Sequence, residues 1–321
     1  MLALTGLLLG SPALAQTPPP MVNGERTSEH PQVGALVAYY EGYGGSSFCS
    51  GTLIHPEWVA TAAHCVEAAE QYERQGVTIL FYMAPDVYDT DGVLDYAVAD
   101  QFEMHPSYNG NSLGNSWDLG LLHLEEPITT VPPLRVNTDG IEGWTGEIVT
   151  FLGYGITKDD SLGGGGGGVK RVTNIPIYDS SEQILYAYDS VQNLCSGDSG
   201  GGGIRQDETT GQWELISVNS FVYAVQSGST SCVGGGSGSA RVDTAIDWLE
   251  DFVPLDEVGF GVPALDLDDP MYMDTGDPLN PYDNNLSTEE PGLFGCSQVP
   301  GGSSLWVAAL ALAGMLLRRR D

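Results

Sequence analysis

Short apolar runs separated by turn-forming residues recur along most of the chain. Two of them, Val33–Tyr40 and Ser47–Ile54, have the length and composition of β-strands, and the short run Trp58–Thr61 follows them and leads into His64. Further runs of this kind occupy residues 119–124, 147–155 and 240–242. The pattern predicts a fold built mainly from strands and turns.

A helical periodicity follows the last of these runs. Ile246, Leu249 and Val253 recur at the spacing of one helix face. Asp243 is a residue type that caps helices, and Pro254 would end a helix. We therefore expect a C-terminal helix that starts at Asp243.

The composition agrees with a turn-rich β protein and bears on the function. The 321 residues include 43 glycines, and the formal net charge is −32. Lys158 and Lys170 are the only lysines. We expect no binding to nucleic acid, because that function needs clustered cations to neutralise phosphates. We interpret the acidity as a solvated exterior.

The stretch Cys195–Gly201, CSGDSGG, places Ser199 among glycines. Glycines let backbone N–H groups approach a substrate carbonyl without side chains in the way. A serine hydroxyl attacks a carbonyl only when a base takes its proton and donors stabilise the oxyanion. Glycine–serine runs are also common in turns, so this stretch alone does not establish an active site.

Two upstream segments contain the missing groups. His64 lies in the sequence TAAHC, and Asp118 lies in WDLGLL, directly before an apolar run. A carboxylate beside a buried strand needs a partner, and a histidine Nδ1–H provides one. Taken singly, His64 is equally a packed core histidine and Asp118 a turn residue. With Ser199 in the same chain, we interpret the three residues as a catalytic triad.

At this point the chain resembles the chymotrypsin/trypsin superfamily of serine proteases, over residues 21 to about 253. The blocks that match, in order, are Met21–Gly24, Cys49–Ile54 and the segments around His64, Asp118 and Ser199. The resemblance implies an all-β fold of two six-stranded Greek-key antiparallel barrels followed by a C-terminal helix. It also implies that residues 127–133 cross between the barrels.

The resemblance further implies an oxyanion hole formed by the N–H groups of Gly197 and Ser199. Four of the five cysteines match the bridges of the superfamily, and the expected pairs are Cys49–Cys65 and Cys195–Cys232. Disulfides indicate an oxidising compartment. We expect neither a metal nor an organic cofactor.

The residues expected around the substrate side chain are Asn193, Ser220, Phe221 and Val222. Asn193 is neutral at the position where cleavage after Arg or Lys requires an aspartate in this superfamily. Val222 stands where glycine is usual, and its branched side chain narrows the pocket mouth. These residues predict cleavage after small or medium uncharged residues.

Residues 89–95, DTDGVLD, form an acidic loop in a region where some members of the superfamily bind calcium. Asp89, Asp91 and Asp95 match only a fragment of an EF-hand pattern. We favour a solvated turn over a calcium site.

The N-terminal segment has the features of an export signal. Residues 1–15 combine an apolar run with an ALA cleavage site, and the prolines that follow disfavour a buried helix. Residues 16–20 would then form a short pro-segment. In the superfamily, the amino group freed at the position of Met21 pairs with the aspartate before the nucleophile, here Asp198, and orders the oxyanion loop. Pro20 precedes Met21, so a cut after Arg or Lys cannot free this amino group.

The C-terminal part of the chain differs from the rest in composition. Residues 254–294 are rich in Asp, Pro, Gly and Asn and predict an acidic disordered linker. Residues 295–321 contain the unpaired Cys296, an apolar run and Arg318–Arg320. This arrangement is similar to the MYXO-CTERM sorting tails of myxobacterial surface proteins. The resemblance implies processing near Cys296 by a sorting peptidase and retention at the cell envelope, with a simple membrane anchor as the alternative.

Together these features predict an exported serine endopeptidase that hydrolyses protein or peptide substrates through an acyl-enzyme intermediate. We expect a monomer. The alternatives are a catalytically silent binding protein on a protease fold and a surface adhesin. The presence of all three triad residues favours the enzyme.

Overall fold

The strands assemble into two antiparallel β-barrels with the candidate site between them. The structure is a computed structural model that describes residues 21, 24–157, 165–225, 232 and 234–255. All of them belong to one unit of the chain. The predicted signal peptide, the pro-segment, the linker beyond residue 255 and the sorting tail with Cys296 lie outside the described residues.

The described residues contain fourteen strands and two α-helices. The strands are β1 (Glu25–Arg26), β2 (Val33–Tyr40), β3 (Gly44–His55), β4 (Trp58–Thr61), β5 (Thr78–Met83), β6 (Asp95–Met104), β7 (Gly120–Leu124), β8 (Arg135–Val136), β9 (Ile148–Gly153), β10 (Arg171–Ser180), β11 (Ile184–Tyr188), β12 (Gly202–Gln206), β13 (Trp213–Tyr223) and β14 (Gly236–Arg241). The α-helices are α1 (Ala63–Glu73) and α2 (Ile246–Glu250), and short 3₁₀ helices cover Thr90–Gly92 and Leu113–Asn115. Neither α-helix of this part of the chain is long and apolar enough to cross a bilayer.

The first barrel closes in the order β2-β3-β4-β7-β6-β5. Its interior is filled by apolar side chains that point inward from successive strands. Among them are the fully buried Leu36, Leu53, Val59, Phe81 and Leu121. This burial drives closure of the sheet, because each strand has one face that must leave water.

The second barrel runs in the order β9-β10-β11-β14-β13-β12. It closes because β9 pairs with both β10 and β12. The two-residue strands β1 and β8 extend it at β10 and β13. The prediction of two six-stranded antiparallel barrels is therefore confirmed.

Residues 127–133 connect β7 of the first barrel to β8, which pairs with the second barrel. Tyr154 also joins the barrels. Its buried hydroxyl donates to the carbonyl oxygens of Val33 and Ala84, which lie 3.2 and 2.6 Å away. The cleft between the barrels is thus held by polar contacts as well as by apolar packing.

Both predicted disulfides are present. Cys49–Cys65 joins β3 to α1 across a sequence separation of 16, and Cys195–Cys232 spans 37. In the chain-entropy model these loops contribute roughly 3 and roughly 4 kcal/mol to stability.

The C-terminal helix differs from its prediction at the N-terminal end. α2 begins at Ile246, and Ala245 at its cap position makes no side-chain hydrogen bond. Asp243 instead accepts from the buried Arg241, with Nε 3.0 Å from Oδ1. The prediction of Asp243 as a cap is wrong, because a charged hydrogen bond to a buried guanidinium takes the carboxylate away from the helix.

Candidate active site

His64 is held in the first turn of α1, directly after β4 ends at Thr61. The next two residues of the helix, Cys65 and Val66, are fully buried. The disulfide from Cys65 to Cys49 ties this turn to β3. The His64 side chain nevertheless remains 29% exposed, so a substrate can reach a ring whose backbone is fixed.

The ring and the backbone of His64 both contact Asp118. His64 Nδ1 lies 2.7 Å from Asp118 Oδ2, and the His64 N–H donates to Asp118 Oδ1 at 2.9 Å. The Asp118 side chain is fully buried. Because the carboxylate occupies Nδ1, the ring presents Nε2 as the atom that accepts a proton.

Asp118 is ionised at neutral pH despite its burial. Burial by itself raises the pKa of this carboxyl. Hydrogen bonds from His64 and Ser220, together with the charge of His64, outweigh burial and hold the pKa below its ordinary value. The buried charge can therefore stabilise an imidazolium at His64.

Ser220 connects the acid with the predicted nucleophile. Its hydroxyl donates to Asp118 Oδ2, and its carbonyl oxygen accepts from Ser199 Oγ at 3.4 Å. Among the described residues, the Ser199 hydroxyl makes no hydrogen bond to His64. A contact between base and nucleophile in such sites often tightens only when substrate is bound.

Ser50 on β3 reaches the nucleophile loop, which we define as residues 195–201, from the first barrel. Its N–H donates to the Ser199 carbonyl oxygen at 2.8 Å, and its hydroxyl donates to the Gly197 carbonyl oxygen at 2.9 Å. The same hydroxyl accepts from Tyr154 N at 3.0 Å. One buried serine thus ties the loop to both barrels.

The two N–H groups predicted to form the oxyanion hole belong to Gly197 and Ser199. Gly197 has a φ of 92°, a left-handed conformation that favours glycine. The Ser196 carbonyl oxygen, which shares a peptide unit with the Gly197 N–H, accepts from Ile156 N at 2.8 Å. Because C=O and N–H of a trans peptide point in opposite directions, this contact turns the Gly197 N–H away from Ile156. Within the described part of the chain neither N–H has a protein acceptor, so both are available to an oxyanion.

Asp198, which belongs to the nucleophile loop, has a fully buried side chain. Its Oδ1 accepts from Gly155 N at 2.7 Å, and its Oδ2 accepts from Cys195 N at 2.9 Å. A Cβ on Gly153 or on Gly155 would lie 2.5 or 2.6 Å from Asp198 atoms, so the niche requires glycine at both positions. Burial raises the pKa of Asp198 to about 7, although the two backbone hydrogen bonds and the charge of Arg171 act in the opposite direction.

Met21 is fully buried in the apolar cluster of the second barrel, together with Ile141 and Leu194. Its predicted ion pair with Asp198 requires a free Met21 amino group. Asp198 forms no ion pair with any other described residue. The Met21–Asp198 pair therefore stays a prediction about a chain that begins at Met21.

A cavity of about 160 Å³ opens beside Ser199. Its lining consists of Leu194, Cys195, Ser196, Asp198, Ser199, Asn219, Ser220, Phe221 and Val222. Three of the four predicted pocket residues are in this set. The fourth, Asn193, is buried but does not line the cavity, whereas its neighbour Leu194 does.

The described residues of the cavity wall offer a substrate side chain no free charged group. Among the described residues that line it, Asp198 alone has an ionisable side chain, and both oxygens of that carboxylate already accept backbone hydrogen bonds. Val222 packs against the Cys195–Cys232 disulfide and occupies space at the wall.

Two other groups of residues contain potential metal ligands. Cys49, His64 and Cys65 bring three potential ligand atoms within 4.8 Å of one another, but the two sulfurs form a disulfide and are not thiolates. In the acidic loop, Asp89 Oδ1 accepts from Asp91 N at 3.1 Å, and Asp95 Oδ2 accepts from Thr130 Oγ1 at 2.8 Å. These contacts are typical of a hydrogen-bonded turn.

Sequence reasoning does not single out three residues that hold the nucleophile loop. Ser50 and Asn219 are polar residues at buried positions of β3 and β13, and a polar side chain next to an apolar strand residue is the signal that marks them. Ile156 acts through its backbone N–H, so its side chain carries no such signal.

A family model described as Trypsin matches residues 21–249. The chain belongs to the trypsin family. It is a serine-type endopeptidase, and its substrates are proteins or peptides. The two disulfides are typical of proteins in an oxidising, extracytoplasmic compartment, and related trypsin-family proteases are secreted.

Several curated proteins are similar to this trypsin-family chain at modest identity. Brachyurin from Leptuca pugilator is 26% identical over 208 residues, covering 63% of this chain and 86% of the relative. Phenoloxidase-activating enzyme 1 from Spodoptera litura is 27% identical over 252 residues, covering 70% of this chain and 64% of the relative. Chymotrypsin-like elastase family member 1 from Canis lupus familiaris is 25% identical over 197 residues, covering 55% and 71%.

Proposed function

We propose that this trypsin-family endopeptidase uses His64, Asp118 and Ser199 as its catalytic triad. The observation that carries the proposal is the double contact of His64 with a buried carboxylate, 2.7 Å at Nδ1 and 2.9 Å at the backbone N–H. Ser220 supports it by contacting both Asp118 and Ser199.

In the proposed reaction, Ser199 Oγ attacks the scissile carbonyl carbon while His64 Nε2 takes the hydroxyl proton. Asp118 holds the ring and stabilises the imidazolium. The oxyanion accepts hydrogen bonds from the Gly197 and Ser199 N–H groups, and each donor contributes about 3 kcal/mol in this type of site. His64 then protonates the leaving amine, and water hydrolyses the acyl-enzyme by the same groups in reverse.

Covalent labelling with a fluorophosphonate tests the triad. We expect a single adduct in the intact mass of the purified protein and none in Ser199→Ala. Ser107→Ala, which removes an exposed serine outside the site, should label like the wild type. No adduct on the wild-type protein would overturn the proposal and would favour a binding protein on the same fold.

The proposed preference is for a small or medium uncharged residue before the cleaved bond. The uncharged lining, the position of Val222 at the cavity wall and the similarity to chymotrypsin-like elastases support it. A peptide-library cleavage profile provides the test. Val222→Gly should extend cleavage to larger residues, whereas dominant cleavage by the wild type after Arg or Lys would contradict the preference.

We also propose that the protein is exported, loses residues 1–15, and is processed near Cys296 by a sorting peptidase that leaves it at the cell envelope. The mature domain would be residues 21–253, and residues 254–294 a linker.

The intact mass of protein isolated from its own cells tests this processing. It should correspond to a chain that starts at Gln16 or Met21 and ends near Cys296. Size-exclusion chromatography should give a monomer. A chain running from Met1 to Asp321 in the cell envelope would contradict this processing.

A further inference from the structure

Asn219 is a buried polar residue that the proposed mechanism does not use. It lies on β13 directly before Ser220 and is 1% exposed. A carboxamide has two N–H donors and one carbonyl acceptor, and leaving them unpaired in a protein interior is costly. A residue of this kind at a buried strand position therefore needs hydrogen-bond partners.

The Asn219 side chain finds those partners in three directions. Its Nδ2 donates to the Leu152 carbonyl oxygen at 2.9 Å and to the Asp198 carbonyl oxygen at 3.1 Å. Its Oδ1 accepts from Ser239 Oγ at 3.5 Å. These hydrogen bonds offset the cost of burying the amide. One of them is made to the carbonyl oxygen of Asp198, the residue before the nucleophile.

The Asp198 carbonyl oxygen and the Ser199 N–H belong to the same peptide unit. In a planar trans peptide the two groups point in opposite directions, so a donor that holds the oxygen also sets the direction of the N–H. We propose that Asn219 is a positioning residue that aims the Ser199 N–H at the substrate oxyanion. This inference rests on the proposed function, because it assigns Asn219 to the oxyanion hole of the same site.

The other N–H of the hole is oriented differently. The peptide unit that contains the Gly197 N–H is held by Ile156 N, a backbone group that substitution leaves in place. Gly201 N also donates to the Asp198 carbonyl oxygen, at 3.0 Å, so Asn219 is one of two donors there. Among the contacts of the described residues, a side chain helps to set the direction of the Ser199 N–H, whereas the direction of the Gly197 N–H is set by a backbone group.

Backbone contacts keep β13 beside the loop whatever the side chain at 219. Gly200 N donates to the Asn219 carbonyl oxygen at 2.7 Å, and Asn219 N donates to the Gly201 carbonyl oxygen at 2.9 Å. A substitution at 219 therefore removes the amide without removing the strand pairing. Asn219→Leu keeps the number and branching of the side-chain heavy atoms, and Asn219→Ala cannot overpack the core.

Two inhibitors separate positioning from general damage. A peptide aldehyde forms a tetrahedral adduct whose oxyanion needs the hole, whereas a peptide with a reduced –CH₂–NH– bond has no carbonyl oxygen at that place. For Asn219→Leu we expect kcat and aldehyde affinity to fall by about tenfold or more, because small misplacements of a catalytic group have effects of this order. KM and affinity for the reduced-bond peptide should stay within about twofold. The matched control Ser239→Ala, which removes the partner of Oδ1 and leaves Nδ2, should leave all four quantities within about twofold.

The ratio of the two inhibitor affinities reports only on folded molecules. It can therefore be measured on Asn219→Ala if the Leu variant does not fold. If the affinity ratio is unchanged in the variant that folds, including the case of an equal loss of affinity for both inhibitors, the inference is overturned. The proposed function still stands in that case if the wild-type enzyme is active. A wild-type protein that gives no fluorophosphonate adduct overturns the proposed function, and this inference with it.

Discussion

His64 and Asp118 in the first barrel are held mainly through side chains, whereas the nucleophile loop of the second barrel is held mainly through its backbone. The first pair depends on one buried carboxylate that accepts two hydrogen bonds from a single histidine. The loop depends on carbonyl oxygens that accept from Ser50 and Ile156, and on glycines packed against Asp198. A side-chain contact fails when one group is replaced. A backbone contact fails when a neighbour grows, because close packing leaves no space for an added methyl group.

The largest expected effect is on kcat and comes from the His64–Asp118 pair, which is held through side chains. Asp118→Asn should lower kcat by about 10⁴-fold, because an amide carries no charge and presents the wrong group to His64 Nδ1. The measurement is kcat with active-site-titrated enzyme. The control is Asp100→Asn, which alters another aspartate–histidine contact, 2.6 Å to His123 Nδ1, outside the site. A similar loss in both variants would contradict the assignment of Asp118.

The disulfides allow the two halves to be compared in stability. Replacing Cys195 and Cys232 by Ala should cost about 4 kcal/mol in the free energy of unfolding. Replacing Cys49 and Cys65 should cost about 3 kcal/mol, because the second pair closes a shorter loop. Urea denaturation measures both values. A larger loss for the first-barrel pair would contradict the loop-length argument.

The nucleophile loop, which is held through its backbone, should be destabilised by the addition of a single methyl group. Gly200 has a φ of 83°, and a Cβ there would collide with Thr61 Oγ1 and the Ser50 carbonyl oxygen. Gly200→Ala should cost about 3 kcal/mol in unfolding free energy, from left-handed strain and overpacking together. Gly211→Ala is the matched control, because Gly211 has a φ of 71° with nothing within 4 Å of an added Cβ. It should cost only about 1 kcal/mol, and equal losses would contradict the packing argument.

The last comparison concerns the pH dependence of stability contributed by two buried aspartates. The folded-state pKa of Asp198 is raised to about 7, so the folded chain binds an extra proton between about pH 4 and that value. Its contribution makes the unfolding free energy fall as pH rises through this window. The pKa of Asp118 is lowered, so its contribution is present above about pH 4 and is lost as pH falls further.

Urea unfolding between pH 4.5 and 7.5 provides the measurement, and Asp198→Asn should remove the Asp198 component. The same series tests the proposed activation pair. In a chain that begins at Met21, the free ammonium would pair with Asp198, lower its pKa and flatten the slope. An unchanged slope in that chain would contradict the Met21–Asp198 pair.

Several parts of the fold follow from local sequence pattern. The bounds predicted for Val33–Tyr40 coincide with β2, and the predicted strand Ser47–Ile54 lies within β3, because each apolar run lies between clear turn signals. The pattern does not predict α1. Its residues 63–73 include several acidic side chains and only a narrow buried face, which gives a weak helical periodicity.

The candidate site follows from sequence only in part. The triad residues could be named because their motifs match those of a family. The pocket prediction was less complete, since Leu194 rather than Asn193 lines the cavity. The sequence does not show that Ser50 and Asn219 hold the nucleophile loop, because their hydrogen-bond partners are determined by the arrangement of the two barrels.

The sequence by itself determined the strand-rich architecture, the cysteine pairs through their motifs, and which histidine, aspartate and serine are candidates for chemistry. These features depend on residue type and local spacing. Only the tertiary structure decided that Asp243 binds Arg241 instead of capping a helix, and that Ser50 and Asn219 hold carbonyl oxygens beside Ser199. Ser50 and Gly197 are 147 residues apart in the chain, and their contact exists because two barrels pack face to face. Hydrogen-bond partners of buried polar groups are set by that packing, and local sequence carries no record of it.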